Sequence, residues 1–554
     1  MPETTVPTAT PATRVTLWSP FAHAVFRALW IAALVSNVGT WMQNVAGVWL
    51  VTTLTTSALL VALMQTATSL PAFLLSMPGG VLADLVDRRR LLLFTQGFMA
   101  VVAMGLGALT LLDGISAYGV LGFTFLLGMG AALNLPIWQA IATELVPRPA
   151  LPSAITLNGV SNNIARAIGP AIGGAIIAYY SAGWVFVLNG LSFLGTWAVV
   201  YFWRRPPTVS SGPAENFIGA LRAGLRYVQY SPAIYGVLVR TFAFAFGASA
   251  MWGLLSVVVA RRLHLSSGHY GVLLSWLGAG AVTGAMLMGR AGSRLNFNQR
   301  VLLGVLALVG TNVALALVSQ IYVLYAVLFV TGIAWLLVMT SFSTTVQLSV
   351  PRWVQARVIS VYMLVFQAGL SVGSLVWGEL ADHLSLQTAL LAAAGWMLAS
   401  ALLALPFPMR SAEDLNLDPA DDRPHTAAAD GSIDPDDGPV LITIEYHVAP
   451  ADWPAFRAAA EELKRLRLRD GALRAGVFAD MAAPTRITEF YYVATWGEHQ
   501  RQYHRFTRQD QVVEAAVRRF HQGAAPPVVK HLLAFPNASN VEVATPIATL
   551  ESQR

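Results

Sequence analysis

The chain contains no cysteine among its 554 residues, and that absence removes disulfides, thiol catalysis and thiolate metal sites together. Lysine is nearly absent as well, with none before Lys464. Charged residues amount to 12% of the chain against 55% hydrophobic ones, the balance of a polytopic membrane protein and not of a soluble enzyme. No Walker lysine motif occurs, which excludes ATP drive from this chain, and no H-E-x-x-H pattern occurs either. The net charge of +6 resides in arginines set between apolar runs, so it marks loops at a membrane surface and not a nucleic-acid patch. The Thr/Pro/Ala-rich start, residues 1–20, lacks a short apolar core with a small-residue cleavage site. It reads as a disordered cytoplasmic lead-in.

What is present in quantity is apolar length. About 20 apolar residues span a bilayer, and on that rule twelve candidate helices are predicted. They lie near Phe26–Leu50, Leu59–Leu82, Leu91–Leu112, Tyr118–Ile141, Ala154–Tyr179, Val185–Phe202, Ile234–Ala260, Tyr270–Met288, Val301–Val318, Tyr322–Thr344, Ile359–Leu380 and Thr388–Pro406. Alternate joints carry the arginines: Arg88 to Arg90, Arg148, Arg204, Arg205, Arg222, Arg226, Arg290, Arg294, Arg300, Arg352, Arg357 and Arg410. Arginine is retained on the cytoplasmic side, so those joints and both termini are expected there, in a multi-pass protein of the inner or plasma membrane. Arg261, Arg262 and His264 break this pattern on the other side.

The segment Val61–Leu82 has no charge and is followed by Asp84, Asp87 and three arginines, reading as a membrane helix that ends in a tight Gly/Asp turn. Gly80, Asp84, Asp87, Arg88, Arg89 and Arg90 together resemble the loop signature between helices 2 and 3 of the major facilitator superfamily. That resemblance implies a conformational charge relay in which Asp84 meets a neighbouring helix start and Arg88 a carboxylate, with Glu144 joining the relay. Arg166, Gly169, Pro170, Gly173 and Gly174 lie on helix 5. Gly169-Pro170-x-x-Gly173-Gly174 resembles that superfamily's exporter signature, although Ala165 and Thr156 stand where further glycines are usual. Phe26–Trp30, Trp41–Gln43 and Val61–Leu63 resemble the transmembrane secretion effectors, the enterobactin-exporter-like branch.

The membrane part repeats itself. Pro147-Arg148 and Pro351-Arg352 stand at one offset, as do Gly169 with Gly373, Gly174 with Gly378, and Gly80 with Gly284. Two parallel six-helix halves, residues 21–203 and 233–410, are implied, with the substrate path between them. Residues 204–232 join them: Phe217, Leu221, Leu225 and Val228 share a helical face with Arg222 and Arg226 opposite, as for a helix lying on the cytoplasmic leaflet. Residues 411–439 are acidic and Pro/Ala/Gly-rich, an expected disordered linker. Residues 440–536 read as a small α+β domain of order βαββαβ, with strands Val440–Val448, Arg474–Phe478, Arg486–Trp496 and Val528–Phe535 and helices Ala451–Arg467 and His499–His521. The pattern resembles a ferredoxin-like domain of the antibiotic-biosynthesis monooxygenase superfamily, in which Trp496, Tyr503 and His504 would line a pocket. The plainer reading is an apolar core with surface histidines His499, His521 and His531. Residues 537–554 read as a loose tail.

Few polar groups lie inside the spans, and each is a candidate. Arg166 is an ion well inside helix 5, where it should face protein or water, either pairing with an anion or bonding helix carbonyls. Arg240 and Arg27 lie nearer a helix end, where the side chain reaches the interface. Asn37, Trp41, Gln43, Asn44, Asn134, Trp138, Gln139 and Asn162 are candidates for the substrate path or for interhelical bonds. Proton coupling needs a titrating group inside the protein, and Asp84, Glu144, Glu379 and Asp382 are the candidates.

The fold class expected is thus an all-α polytopic membrane protein of the major facilitator fold plus a C-terminal α+β ferredoxin-like domain. The resemblance implies a proton-driven secondary transporter that exports an amphipathic siderophore or drug-like molecule by alternating access. An uptake permease of the same fold, or a membrane-tethered enzyme or sensor working through residues 440–536, are the alternatives. No cofactor or metal is expected. The partners expected are the bilayer, a small-molecule substrate and protons, with no nucleic acid, and dimerisation through the C-terminal domain is the protein–protein contact considered.

Overall fold

The computed structural model describes residues 16, 18–85, 87–203, 224–291, 295–409, 416–418, 420 and 433–534. The residues expected at Phe217, Leu221, Arg222, Arg204, Arg205, Arg294 and Arg410, most of the acidic linker and the 537–554 tail lie outside them. The chain divides into two units. One comprises residues 1–215, 236–345 and 362–409, the other residues 216–235, 346–361 and 410–554.

The first unit is a helix bundle. In chain order its helices are α1 (Ala24–Leu54), α2 (Ala58–Leu85), α3 (Arg88–Leu111), α4 (Ala117–Leu145), α5 (Leu151–Tyr179), α6 (Ala182–Phe202), α7 (Pro232–Val257), α8 (Ser267–Ala291), α9 (Phe297–Leu317), α10 (Ile321–Leu348), α11 (Arg352–His383) and α12 (Leu386–Ala401). Among the described residues, 10 helices are long and apolar enough to cross a membrane. Neither α2 nor α5 is among the ten: in α2 the apolar stretch Ala58–Ala72 is shorter than a span, and α5 carries Asn158, Asn162, Asn163 and Arg166. The ends are set by local chemistry. Asp87 caps α3 by accepting from Arg90 N at 2.9 Å, Ser116 caps α4, Ser385 caps α12, and Asn296 with Gln299 forms a capping box on α9. The expected tight turn at Gly80 is instead helix: α2 runs on through Gly80 and Asp84 to Leu85, and Arg88 to Arg90 form the first turn of α3. Pro78, Gly79 and Gly80 lower the helix propensity there, and α2 nevertheless continues through them to the acids.

The bundle's largest apolar cluster joins the two halves. Met42, Val45 and Val61 from the first half pack in one core with Met251, Leu254, Leu273 and Trp377 from the second. Close backbone approach does the rest. A Cβ on Gly174 would lie 2.7 Å from the Ser267 carbonyl and 3.1 Å from the Gly271 Cα, and one on Gly378 would lie 2.9 Å from the Leu59 Cα. Small residues let helix backbones approach where lipid supplies no hydrophobic drive between helices. The α5–α8 and α2–α11 seams are therefore glycine seams.

The second unit holds β1 (Val440–His447), α13 (Trp453–Asp470), β2 (Arg474–Ala479), β3 (Arg486–Val493), α14 (Trp496–Arg505), α15 (Arg508–Arg518) and β4 (Val528–Leu533). The sheet has the order β2-β3-β1-β4, all antiparallel, with Val440 opposite both Val493 and Leu533. Alternate residues of β1 are buried against Phe456, Ala460 and Leu463 of α13, as a period-2 strand facing a helix requires. The single helix expected over His499–His521 is two. Thr507 breaks it by turning extended and capping α15 in a box with Asp510. His499, expected at the surface, is buried at 2% exposure. Gly471 ends α13 at φ +131°, where a Cβ would meet Glu498 Oε1, so glycine is required there.

Within this unit the last turn of the connector does not present its expected face. Leu225 is exposed, whereas Tyr227 and Val228 are buried. Arg226, expected opposite the buried face, lies 3.9 Å from Glu498 and donates to the Gly471 carbonyl at 3.4 Å. Arg469 stacks over Tyr227 at 5.3 Å and Arg505 over Trp353 at 4.6 Å, while Tyr227 and Trp353 meet edge to face. The α+β domain covers this segment, and that is why the pattern departs from a lipid-facing one.

Candidate functional site

A cavity of about 270 Å³ lies inside the bundle between the halves. The first half contributes Trp41, Gln43, Asn44, Gln65 and Arg166, and the second Trp252, Tyr270, Trp335 and Leu370. Its walls are aromatic in large part. Trp252 and Trp335 stand edge to face at 5.5 Å, and Tyr270 stacks with Trp49 at 5.9 Å.

Arg166 is the charged group on this wall among the described residues. Its Nη2 donates to Asn163 Oδ1 at 2.8 Å, and Asn163 in turn donates to the Gly159 carbonyl at 3.0 Å, so the guanidinium is steered by a neighbour one turn away. A guanidinium has five N–H donors, and the four left after the bond to Asn163 suit an acceptor-rich guest. The indole N–H of Trp252 is buried with no hydrogen-bond partner among the described residues.

The remaining sequence candidates sort by position. Trp41, Gln43 and Asn44 line the cavity, and Gln43 Oε1 also accepts from Asn189 at 2.6 Å. Asn37 is turned to Ser161, with 3.4 Å between them, and Asn134 accepts from Thr95 and Gln96, so these two serve helix contacts. Trp138 packs with Leu29 and Ile141, and Asn162 is exposed. The side chains of Gly80, Asp84, Gln139 and Glu144 lie outside the described residues. On α5, Gly169 and Gly173 meet Trp41 and Met42 of α1, Gly174 meets α8, and Pro170 is accommodated inside the helix with its carbonyl against Gly271. Arg240 donates to Asn298 Oδ1 at 2.6 Å and to the Phe407 carbonyl at 3.2 Å, tying α7, α9 and the end of the bundle. Trp252, Tyr270 and Trp335 were not singled out from the sequence. The repeat held a signal for one of them, since Trp252 stands at the repeat offset from Val48 and both line the cavity.

Beyond the cavity, at the end of the bundle bearing Thr55, polar contacts cross between the halves. Thr52 and Ser256 meet through their hydroxyls at 2.9 Å there, while Ser69 and Ser371 meet at 2.6 Å about three turns into α2, at the level of the cavity. Asp382 of α11 accepts from Ser57 Oγ, from Ala58 N and from Leu59 N, the last at 3.0 Å. Arg261, in the π turn Val258–Arg262 that ends α7, donates to the Thr55 and Thr56 carbonyls at 2.7 Å each. Arg262 donates to the Leu315 carbonyl. The two arginines that broke the expected charge pattern are thus used on loop and helix-end carbonyls. Glu379 is exposed and pairs with His383 at 2.8 Å.

The α+β domain has its own ionic core. Arg467 bonds Glu489 at 3.0 Å, Glu489 also accepts from Tyr446, and Arg469 bridges Asp470 at 2.8 Å and Asp510 at 2.9 Å. Burial pushes the Asp470 carboxyl up against the opposing pull of Arg469, and burial pushes His531 down. Trp496 and Tyr503 both pack on His499, at 5.4 and 5.1 Å, and the side chain of His504 lies outside the described residues. The space beside them is about 10 Å³, room for a water and not for an organic cofactor or substrate.

Two glycine-seamed helical halves around an aromatic cavity define a multi-pass membrane transporter of the major facilitator type. Solved structures share the fold. A bacterial homolog to the human lysosomal transporter Spinster, in an inward-facing and occupied conformation, aligns with a TM-score of 0.57 at 15% identity over 70% of this chain and 97% of that one. The nucleoside transporter NupG aligns at 0.56 and 12% identity over 70% and 100%. The sequence profile described as transmembrane secretion effector matches residues 15–539, and the chain belongs to that family. The match includes the C-terminal α+β part. Among curated relatives, the enterobactin exporter EntS of Citrobacter koseri is 25% identical over 363 residues, 65% of this chain and 85% of that protein. The enterobactin exporter EntS of Shigella flexneri is 28% identical over 270 residues, 48% and 63%, so the chain spans less than two thirds of that relative's length.

Proposed function

We propose that the protein is a proton-driven exporter of an amphipathic, acceptor-rich small molecule, working by alternating access in the plasma membrane. The observation that carries this reading is the cavity itself. Its aromatic walls come from both halves, and Arg166 is a donor at its edge. Aromatic faces suit a bulky, largely apolar body, and a lone cation with amides suits an anionic or oxygen-rich group on it. Sugars and highly charged metabolites fit such walls poorly. The arginine-bearing joints support a cytoplasmic Arg88 end, with the contacts at the Thr55 end closing the cavity to the outside. The exporters among its relatives support the direction.

Cells making the protein are loaded with fluorescent aromatic acids and siderophore-like chelators, and accumulation is measured with and without collapse of the proton gradient. Lower accumulation that the uncoupler restores is the expected result. Accumulation raised above that of control cells identifies an uptake permease instead.

A further inference from the structure

We propose that the Asp382 carboxylate is a proton-binding site that latches the halves together at the Thr55 end and releases them when protonated. The inference rests on the transporter reading and adds to it the place where the driving ion acts. A helix N-terminus has N–H groups with no intrahelical partner and carries partial positive charge. In α2 those groups are met from the opposite half: Asp382 takes the Ala58 and Leu59 amides and the Ser57 hydroxyl at once. Such a set of donors holds the ionised form of a carboxylate. Arg261 fastens the preceding loop from the same side, on two carbonyls, and its charge acts on Asp382.

A proton on Asp382 turns one acceptor oxygen into a donor that faces N–H groups and a hydroxyl, and it cancels the attraction to Arg261 and to the helix dipole. The neutral side chain keeps little hold on α2, and water takes its place as the halves part. The other charged groups nearby are already engaged. Glu379 and His383 pair with each other on α11, and Arg262 is held by the Leu315 carbonyl. His264 follows the π turn in a left-handed conformation at φ 55°, and the loop from Thr55 to Leu59 has no ionisable side chain.

The repeat shows that the device is one-sided. Ala178 stands at the offset from Asp382, and Ser57 at the offset from Arg261. The related α5–α8 seam closes through glycine backbones and the Ser267 hydroxyl on the Gly174 carbonyl, with no ion. No described acid lines the cavity, so a titrating group at the seam is where a proton can be exchanged for motion.

The test uses the absence of cysteine. Leu54→Cys and Leu384→Cys, both exposed near the latch, carry nitroxide labels in the full-length protein in lipid nanodiscs, and the inter-label distance is measured by pulsed dipolar spectroscopy at about pH 7.5 and about pH 3.5, on either side of the range in which a carboxylate takes up a proton. A longer distance is expected to gain population at the lower pH. With Asp382→Asn the long distance should be present at both pH values in one proportion, and with Arg261→Gln the opening should begin at higher pH. A distance independent of pH without further substitution, or a pH response that survives Asp382→Asn, overturns the proposal. A pH response in a protein that moves no substrate in cells would instead sink the exporter reading and leave the latch standing.

Discussion

Thr52 and Ser256 share a hydrogen bond of 2.9 Å and stand 204 residues apart, the offset that also relates Pro147 to Pro351. Equivalent residues of two repeats can touch only on the axis that relates the repeats. The pair therefore marks the two-fold axis at the Thr55 end, and opening of that end has to separate it.

Removing this bond should favour the open state. Thr52→Ala with Ser256→Ala is expected to lose about 1 kcal/mol of closure, roughly a five-fold change in the open-to-closed ratio. The inter-label distance distribution described above measures it. The single variants should each show nearly the whole effect, because either one removes the bond.

Arg166→Ala should raise the KM for anionic substrates by an order of magnitude or more and change that for neutral ones little. Arg166→Lys should recover only part of the loss, since a point charge replaces a planar fork of donors. Vesicle transport with a matched acid and ester pair gives the comparison. An equal loss for both members would assign Arg166 to helix packing.

Glycine at the seams is a requirement of distance. Gly271→Leu would drive a side chain into the Pro170 carbonyl and the Gly174 Cα, and transport should be abolished. A Cβ on Gly310 meets nothing within 4 Å, and Gly310→Leu should transport normally. Both variants are to be compared at equal amounts of protein in the membrane.

Trp353→Ala removes the face on which the Arg505 guanidinium rests, an interaction of about 1 kcal/mol. Amide hydrogen exchange in residues 496–505 and 224–229 should quicken, with exchange in α8 and α10 unchanged. An unaltered pattern would mean that the Arg226–Glu498 pair alone holds this segment.

The domain should also loosen in acid around His531. Burial lowers its folded pKa below the ordinary histidine value of about 6.5, so the unfolded chain takes up the proton first. The stability this histidine contributes is complete above that value and is lost as pH falls through the folded pKa. Exchange protection of the β1–β4 pair should decline below about pH 6.5 in the intact protein, and His531→Phe should flatten that decline.

The bundle was legible because a bilayer imposes length and apolarity, and the repeat because Pro-Arg and glycine positions recur in register. The ends were less so. Sequence pattern cannot see that α2 continues through Gly80, nor that Thr507 finds a capping partner that splits one expected helix. The amides could be read either as cavity lining or as helix contacts. Asn37 and Asn134 have near neighbours to bond, and only packing decides between a neighbour and a void. Tyr270 and Trp335 went unseen because an aromatic in an apolar helix looks alike whether it faces lipid or a cavity. Arg261 looked like an exception to the charge rule until a loop carbonyl pair was found beneath it.

The glycine seam between α5 and α8 also governs leakage. A Cβ on Gly278 would lie 2.9 Å from the Arg166 carbonyl, so the backbone that carries the cavity's cation and the backbone that seals the halves approach closely. On the proposed reading, a guest that pulls on Arg166 would be felt at the seal without any relay of side chains between them. A carrier built in this way would register its load where it must turn over, which would limit futile cycling.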